Sequence, residues 1–277
     1  MIYSIYHFFK SLVEKKQYFS IAEKLESFPF DDSMLSCKNA GQFPDLAIKL
    51  TINNSLFSGG ELIELKDSQS YTVSSFNSTI PTGKKDIEKV IKSVNSSIKK
   101  QMEEAGNHIY SLQYRDIFYL IRGQHKNNTK IVLTHGSFFE TIKSNELISQ
   151  SFEQVLDESI LKYNIQIDND TKSVLVDMFS EQDSFSKVRN VDNASVKLRF
   201  RIMTEVKAEG NILNSNQYPE IKDNTLNLIA PYNTEEEKET ILKRFKNVFN
   251  EKYIKDFSIL PLKHHLDGYF LVFQTAL

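Results

Sequence analysis

Phe43-Pro44-Asp45-Leu46-Ala47-Ile48-Lys49-Leu50 and Gly59-Gly60-Glu61-Leu62-Ile63-Glu64-Leu65-Lys66-Asp67 are the stretches on which the reading of this chain turns. The first alternates Leu46, Ile48 and Leu50 against Ala47 and Lys49. The second alternates Leu62, Glu64 and Lys66 against Glu61, Ile63 and Leu65. A period of two predicts a strand in each. Asn53-Asn54-Ser55 and Ser58-Gly59-Gly60 between them are turn chemistry, so the two strands are expected to form a hairpin. Gly59-Gly60 also lets another backbone approach closely.

The alternation has a chemical consequence. Residues two apart on a strand share a face, so Glu64 and Lys66 stand side by side. Asp45, at the mouth of the neighbouring strand, reaches the same patch. Two carboxylates and one amine meeting at a strand end are what metal-assisted phosphodiester hydrolysis requires. Hard oxygen ligands hold Mg²⁺, which polarises a phosphoryl oxygen and lowers the pKa of an attacking water. The lysine positions or deprotonates that water and neutralises developing charge. The plain alternative is a solvated cross-strand ion pair of little energetic weight. Against it, Glu64 and Lys66 interrupt an otherwise apolar pair of strands.

Pro44-Asp45, followed after eighteen residues by Glu64-Leu65-Lys66, resembles the PD-(D/E)xK nuclease signature. The run from Asp67-Ser68-Gln69-Ser70 to Ser74-Ser75-Phe76-Asn77-Ser78-Thr79-Ile80-Pro81 is similar to type II restriction endonucleases, more than to repair nucleases or recombinases. The resemblance covers about residues 40 to 145. It implies a sequence-specific, Mg²⁺-dependent double-strand DNA endonuclease that leaves 5′-phosphates. Asp45 and Glu64 would bind the metal, with the carbonyl of Leu65 as a further oxygen ligand, and Lys66 would activate or orient the water. A helix ahead of the hairpin often supplies another acid in this family, and Glu23 and Glu26 are the candidates by position. A palindromic duplex is cut most simply by a two-fold homodimer with one active site per strand. A cognate DNA methyltransferase is expected as a genetic partner, not a physical one. Two alternatives stay open: a DNA repair or mobile-element nuclease of the same fold, and a non-catalytic α/β interaction protein.

The chain has 277 residues, 40% hydrophobic and 12% aromatic, enough for one large domain or two small ones. No segment approaches the roughly 20 consecutive apolar residues of a membrane span. The amino terminus lacks a basic leader and a small-residue cleavage site, so it does not read as a signal peptide. Cys37 is the single cysteine, which excludes an internal disulfide framework and a cysteine-based zinc site. A reducing, cytoplasmic location fits, and Cys37 reads as a small buried hydrophobe. The net charge of −2 does not decide for or against DNA, because affinity depends on a local basic stripe.

Residues 3–26 read as one or two helices with Tyr6, Phe9, Leu12 and Val13 on one face. The polar run after Lys66 suits phosphate and sugar contacts, and Ser68, Gln69 and Asn77 are the candidates. Ile87, Val90, Ile91, Val94, Ile98 and Met102 predict an amphipathic helix over 85–105. Strands are expected over 116–122 and 130–136, with a turn at 123–128. A helix carrying Ile142, Leu147, Ile148, Phe152 and Val155 should follow. His135 and the pair His264-His265 lack a second ligand at metal spacing, so structural hydrogen bonds are expected of them.

Residues 171–179 fit either helix or strand. A strand over 194–206 would set Val196, Leu198, Phe200 and Ile202 against Lys197, Arg199 and Arg201. Arginine reads guanine and Asn or Gln reads adenine, so Arg189, Asn190, Asn193, Arg199 and Arg201 are the base-reading candidates. Thr234 to Glu237 is a capping box opening a helix with Ile241, Leu242, Phe245, Val248 and Phe249 inward. Strands over 257–261 and 268–275 should close the fold. The expectation is one α/β domain over 1–277, a mixed sheet flanked by helices. It divides into a restriction-endonuclease-like catalytic core (about 1–160), a DNA-recognition region (about 165–230) and a closing helix and strands (231–277).

Overall fold

The computed structural model describes residues 3–15, 24–39, 41–51, 59–73, 75–77, 80–93, 96–180, 188–189, 192–196, 198–199, 203–266 and 268–277. The chain forms two compact units. One comprises 1–74, 83–139 and 206–277; the other comprises 75–82 and 140–205.

The first unit opens with helix α1 (Tyr3–Glu14), a short 3-10 turn at Leu25–Ser27, and strands β1 (Leu35–Lys38), β2 (Leu46–Ile48) and β3 (Leu62–Ser68). Strand β4 (Ser75–Asn77) belongs to the second unit. Then follow β5 (Lys84–Asp86), α2 (Ile87–Ser93), α3 (Ser96–Glu104), β6 (Tyr114–His125) and β7 (Asn128–His135). The second unit continues with α4 (Ser144–Tyr163), α5 (Asn169–Ser180), β8 (Val188–Arg189), β9 (Leu198–Arg199) and β10 (Met203–Glu205). The first unit ends with β11 (Thr225–Tyr232), α6 (Glu235–Val248), α7 (Glu251–Ile254), β12 (Ser258–Lys263) and β13 (Tyr269–Ala276).

One mixed sheet runs β1-β2-β3-β6-β7-β11-β13-β12, with β5 paired to the start of β6. The β2–β3 and β6–β7 pairs are antiparallel, as a hairpin reading requires, while β3–β6 and β7–β11 are parallel. The chain is therefore α/β, with a mixed sheet flanked by helices.

Alternation along the strands assigns the two faces. Ile63, Phe118, Leu120, Ile131, Leu133, Leu226, Leu228, Leu271 and Phe273 join one hydrophobic core with α1 and α6. Phe245 of α6 stacks on Phe273 at 3.9 Å between centroids, and Phe9 of α1 meets Phe249 edge-on at 6.2 Å. Burial of such a side chain contributes about 1.5–3 kcal/mol. Helix α1 exceeds the one-face expectation, because Ile5 and Phe8 are buried along with Tyr6, Phe9, Leu12 and Val13. Helix α6 opens as the capping box predicts: Thr234 Oγ1 accepts from the Glu237 N–H at 3.2 Å. The Glu237 carboxylate reaches back to the Asn233 N–H at 2.7 Å. Both terminal strands form, over Ser258–Lys263 and Tyr269–Ala276, each ending one or two residues beyond the range anticipated.

Several boundaries differ from the sequence reading. Gly123-Gln124-His125 does not turn; it stays in the β6–β7 ladder, opposite Lys130, Thr129 and Asn128. The turn is the pair Lys126-Asn127, with Lys126 at φ 55°. Gly123 serves close packing: a Cβ there would sit 2.5 Å from Leu213 and 3.2 Å from Tyr71. The span 85–105 begins in strand β5 and is helical over Ile87–Ser93 and Ser96–Glu104, with residues 94–95 outside the described residues. Residues 171–179 are helical. Residues 194–196 form no strand, and Val196 is 76% exposed, not on an inward face. The helix α4 has only Ile148 of its anticipated apolar stripe buried; Leu147 and Val155 are exposed, and Phe152 stacks on Phe179 of α5 at 4.8 Å. Among the described residues, no helix is long and apolar enough to cross a membrane.

Candidate active site

The β2–β3 ladder pairs Leu46 with Ile63 and Ala47 with Leu62, so Asp45 enters directly beside Glu64. Its path is set by the glycine pair. Gly59 (φ 70°) leaves no room for a side chain against the Lys49 carbonyl, and a Cβ on Gly60 (φ 103°) would lie 2.4 Å from the Arg115 guanidinium. Gly59 thus allows close approach of the Lys49 backbone, and Gly60 makes room for the Arg115 guanidinium.

Three side chains meet on the sheet face opposite the α1–α6 core. The Lys66 ammonium lies 2.9 Å from Glu64 Oε1. Asp45 Oδ2 accepts the Leu65 N–H at 2.8 Å and Oδ1 accepts the Gly41 N–H at 3.1 Å. Asp45 and Glu64 are each 8% exposed. Burial raises the pKa of Asp45, against the pull of the Leu65 and Gly41 N–H groups, Lys66 and Glu64. Burial likewise pushes Glu64 up to about 7, against Lys66 and with the Asp45 charge adding to the rise. The two carboxyls lie against each other, yet Glu64 Oε2 makes no hydrogen bond of normal geometry to any described residue.

That buried oxygen, next to a second carboxylate, suits a hard dication. A divalent ion would relieve the repulsion and give Oε2 a partner. The Leu65 carbonyl belongs to the residue whose N–H Asp45 already accepts. Among the described residues there is no group of three or more His, Cys, Asp or Glu arranged around a metal position. The residues that would hold such an ion are the two carboxylates, with the Leu65 carbonyl as the further oxygen expected from the sequence. Glu23 lies outside the described residues, and Glu26 is exposed in the Leu25–Ser27 turn.

The remaining candidates are dispersed. Ser68 ends β3, and its hydroxyl donates to the Ser70 carbonyl while accepting the Ser70 N–H at 3.2 Å. Gln69 is exposed. Asn77 pairs with Met203 in the β4–β10 ladder, and Arg189 and Arg199 occupy the β8–β9 ladder opposite Leu198 and Val188. Asn193 is exposed in a turn at φ 65°. Asn190 and Arg201 lie outside the described residues. His135 makes the structural bond expected: Nδ1 meets Ser137 Oγ at 2.8 Å, and Nε2 lies 3.6 Å from Asp116. His264 is buried against Phe138 at 4.7 Å, and His265 Nε2 lies 2.7 Å from the Gln217 carbonyl.

Sequence reasoning missed the supports of the site. Asp67, the residue after Lys66, takes a two-pronged contact from Arg122, at 2.9 Å and 2.8 Å. That guanidinium is fully buried and lies 5.0 Å from the Phe28 ring centroid. Asn211 holds the chain beyond Lys66: its Oδ1 accepts the Val73 N–H at 3.2 Å and its Nδ2 donates to the Tyr71 carbonyl at 3.0 Å. An Asp at the alternate position to Lys66 was readable, but its partner depended on the parallel β3–β6 register. Nothing in the sequence marks Asn211.

Comparison with protein families, curated proteins and solved structures returns no match for this chain.

Proposed function

We propose that the chain is a Mg²⁺-dependent, site-specific double-strand DNA endonuclease with a restriction-endonuclease-like core. The observation that carries this reading is the meeting of Asp45, Glu64 and Lys66, with a buried Glu64 oxygen that takes no normal hydrogen bond from any described residue. Asp45, Glu64 and the Leu65 carbonyl would hold the ion. When bound, Mg²⁺ supplies Lewis acidity to a phosphoryl oxygen and lowers the pKa of water.

The chain's own groups account for the rest. Lys66 orients the attacking water and offsets charge on the phosphoryl oxygens. Water oxygen bonds to phosphorus and gives up a proton to solvent, the bond to the 3′ oxygen breaks, and that oxygen takes up a proton from solvent. The products are a 5′-phosphate and a 3′-hydroxyl. Ser68 and Gln69, directly beyond Lys66, would contact the sugar-phosphate backbone. Arg189, Asn193 and Arg199 of the second unit remain the base-reading candidates. A homodimer with two such centres would cut both strands of a palindromic site.

The test is digestion of a mixed plasmid and phage DNA panel, with and without Mg²⁺, wild type beside Lys66→Ala. Discrete fragments from the wild type alone, only with metal, support the proposal and yield the recognition sequence. A smear points to a non-specific or repair nuclease. Intact DNA under every metal and salt condition sinks the catalytic reading and leaves a non-catalytic interaction protein.

A further inference from the structure

The geometry points to a second reactive centre, on the other face of the sheet, that accepts an acyl group from an activated carboxylic ester. Ser137 is its nucleophile, His135 the general base and Asp116 the group that orients the base. The centre goes beyond the nuclease reading and shares no residue with it.

Register brings the three together. The β6–β7 ladder pairs His135 with Phe118, and Phe118 belongs to the core beneath α1. Partners in an antiparallel ladder share a face, so His135 lies on the side away from Glu64 and Lys66. Asp116, two residues before Phe118 on β6, shares that face. Ser137 follows His135 directly, in the 3-10 turn Gly136–Phe138 that closes β7.

Hydrogen bonding then fixes the roles. His135 Nδ1 accepts the Ser137 N–H at 3.3 Å, so that nitrogen carries no proton and the neutral ring holds its proton on Nε2. Ser137 Oγ lies 2.8 Å from the same Nδ1, and its hydroxyl therefore donates to a bare nitrogen. On the far side Nε2 lies 3.6 Å from Asp116 Oδ1. A nucleophile bonded to a base that a third group orients is the arrangement covalent catalysis uses. The ring presents Nδ1 to the serine and Nε2 to the acid, the reverse of the serine-protease triad; roles, not atom names, define such a site.

The surroundings hold the base still without sealing it. Phe118 meets the imidazole edge-on at 5.2 Å, and a Cβ on Gly83 would lie 2.9 Å from its Cε1. Side-chain exposure is 13% for His135 and 19% for Asp116, and Ser137 is half-buried. Against burial, His135 and Lys84 keep the Asp116 carboxyl below its ordinary value, so a carboxylate faces the ring. That charge stabilises the imidazolium formed when the serine gives up its proton. Ser137 Oγ bonds to the acyl carbon and its proton passes to Nδ1. The bond from that carbon to the leaving oxygen breaks, and the leaving group takes the proton from Nδ1. Water later releases the acid and restores Ser137.

The test treats full-length protein with p-nitrophenyl acetate, following nitrophenolate release and locating the acetyl group by peptide mass spectrometry. Wild type should carry acetyl on Ser137, and Ser137→Ala should not. His135→Gln keeps an acceptor for the Ser137 N–H but removes the base, and should slow acetylation at least about 100-fold. Ser137→Cys keeps a nucleophile beside the same ring and should acetylate as readily as wild type. Nitrogen NMR of the wild-type imidazole should place the neutral ring's proton on Nε2. Unlabelled Ser137, labelling indifferent to His135→Gln, an inert Ser137→Cys that melts like wild type, or a proton on Nδ1 each overturns the proposal. None of these outcomes bears on the nuclease reading, whose residues lie on the opposite face.

Discussion

The Lys66 ammonium lies 2.9 Å from Glu64 Oε1, and it is the main influence that opposes burial in raising the Glu64 pKa. Removing the cation removes that opposition. Lys66→Met should carry the Glu64 pKa above about 7, read by carboxyl NMR titration. DNA cleavage should fall by at least about 100-fold, the lower range for loss of a positioned proton-transfer or water-orienting group. A Glu64 pKa that stays put or falls would show that the pair is not coupled in solution.

Asp45 binds two backbone N–H groups as well as facing Glu64. Asp45→Asn keeps an acceptor oxygen but removes a charge from the centre. Cleavage should be lost while duplex affinity is retained, as gel-shift and digestion assays on one preparation would record. Equal loss of both would reassign Asp45 to folding.

Glu61 and Glu64 both have pKa values pushed from 4.5 to about 7, chiefly by burial. Between those values the folded chain binds more protons than the unfolded one, so stability falls as pH rises. Metal-free protein should therefore melt at a higher temperature near about pH 5 than near about pH 8. Glu61 takes the Ser4 hydroxyl on its carboxyl group, a bond an amide oxygen can also accept. Glu61→Gln should flatten the trend. A melting temperature that climbs through this window contradicts the assignment.

Arg122 is wholly buried and gives two hydrogen bonds to Asp67. Truncating one member of a fully buried pair costs about 3–5 kcal/mol, and the 31% exposure of the Asp67 side chain lowers that to about 1–3 kcal/mol here. Asp67→Ala should show that loss in urea unfolding. A loss below about 1 kcal/mol would place the pair in effect at the surface.

The Cys37 thiol is pushed up to about 11, by burial and then by the nearby Asp45 charge. Iodoacetamide should label it slowly in the native protein and rapidly in denaturant. Native labelling as fast as that of a free thiol would mean that β1 opens.

The hairpin, the strand over 116–122 and the capped helix were legible because each rests on local periodicity or capping. Glu64 and Lys66 were readable as neighbours for the same reason, and Asp45 joined them through a single ladder step. What could not be read came from long-range register. The turn expected at Gly123 reflected the usual role of glycine, whereas Leu213, ninety residues away, determines its use here. Arg122 and Asn211 support the site from distant positions, and no spacing announces them. The apolar stripe of α4 was real as a pattern, but a pattern does not say whether anything covers it.

Strand β3 assigns its residues to two accounts by turns. Ile63 answers to the core beneath α1, while Glu64 and Lys66 answer to the opposite face. Descent can therefore act on the two separately. A lineage freed from its substrate could exchange Glu64 and Lys66 for neutral residues and keep the same sheet, and its sequences would then retain the β3 hydrophobic rhythm after the chemistry had gone.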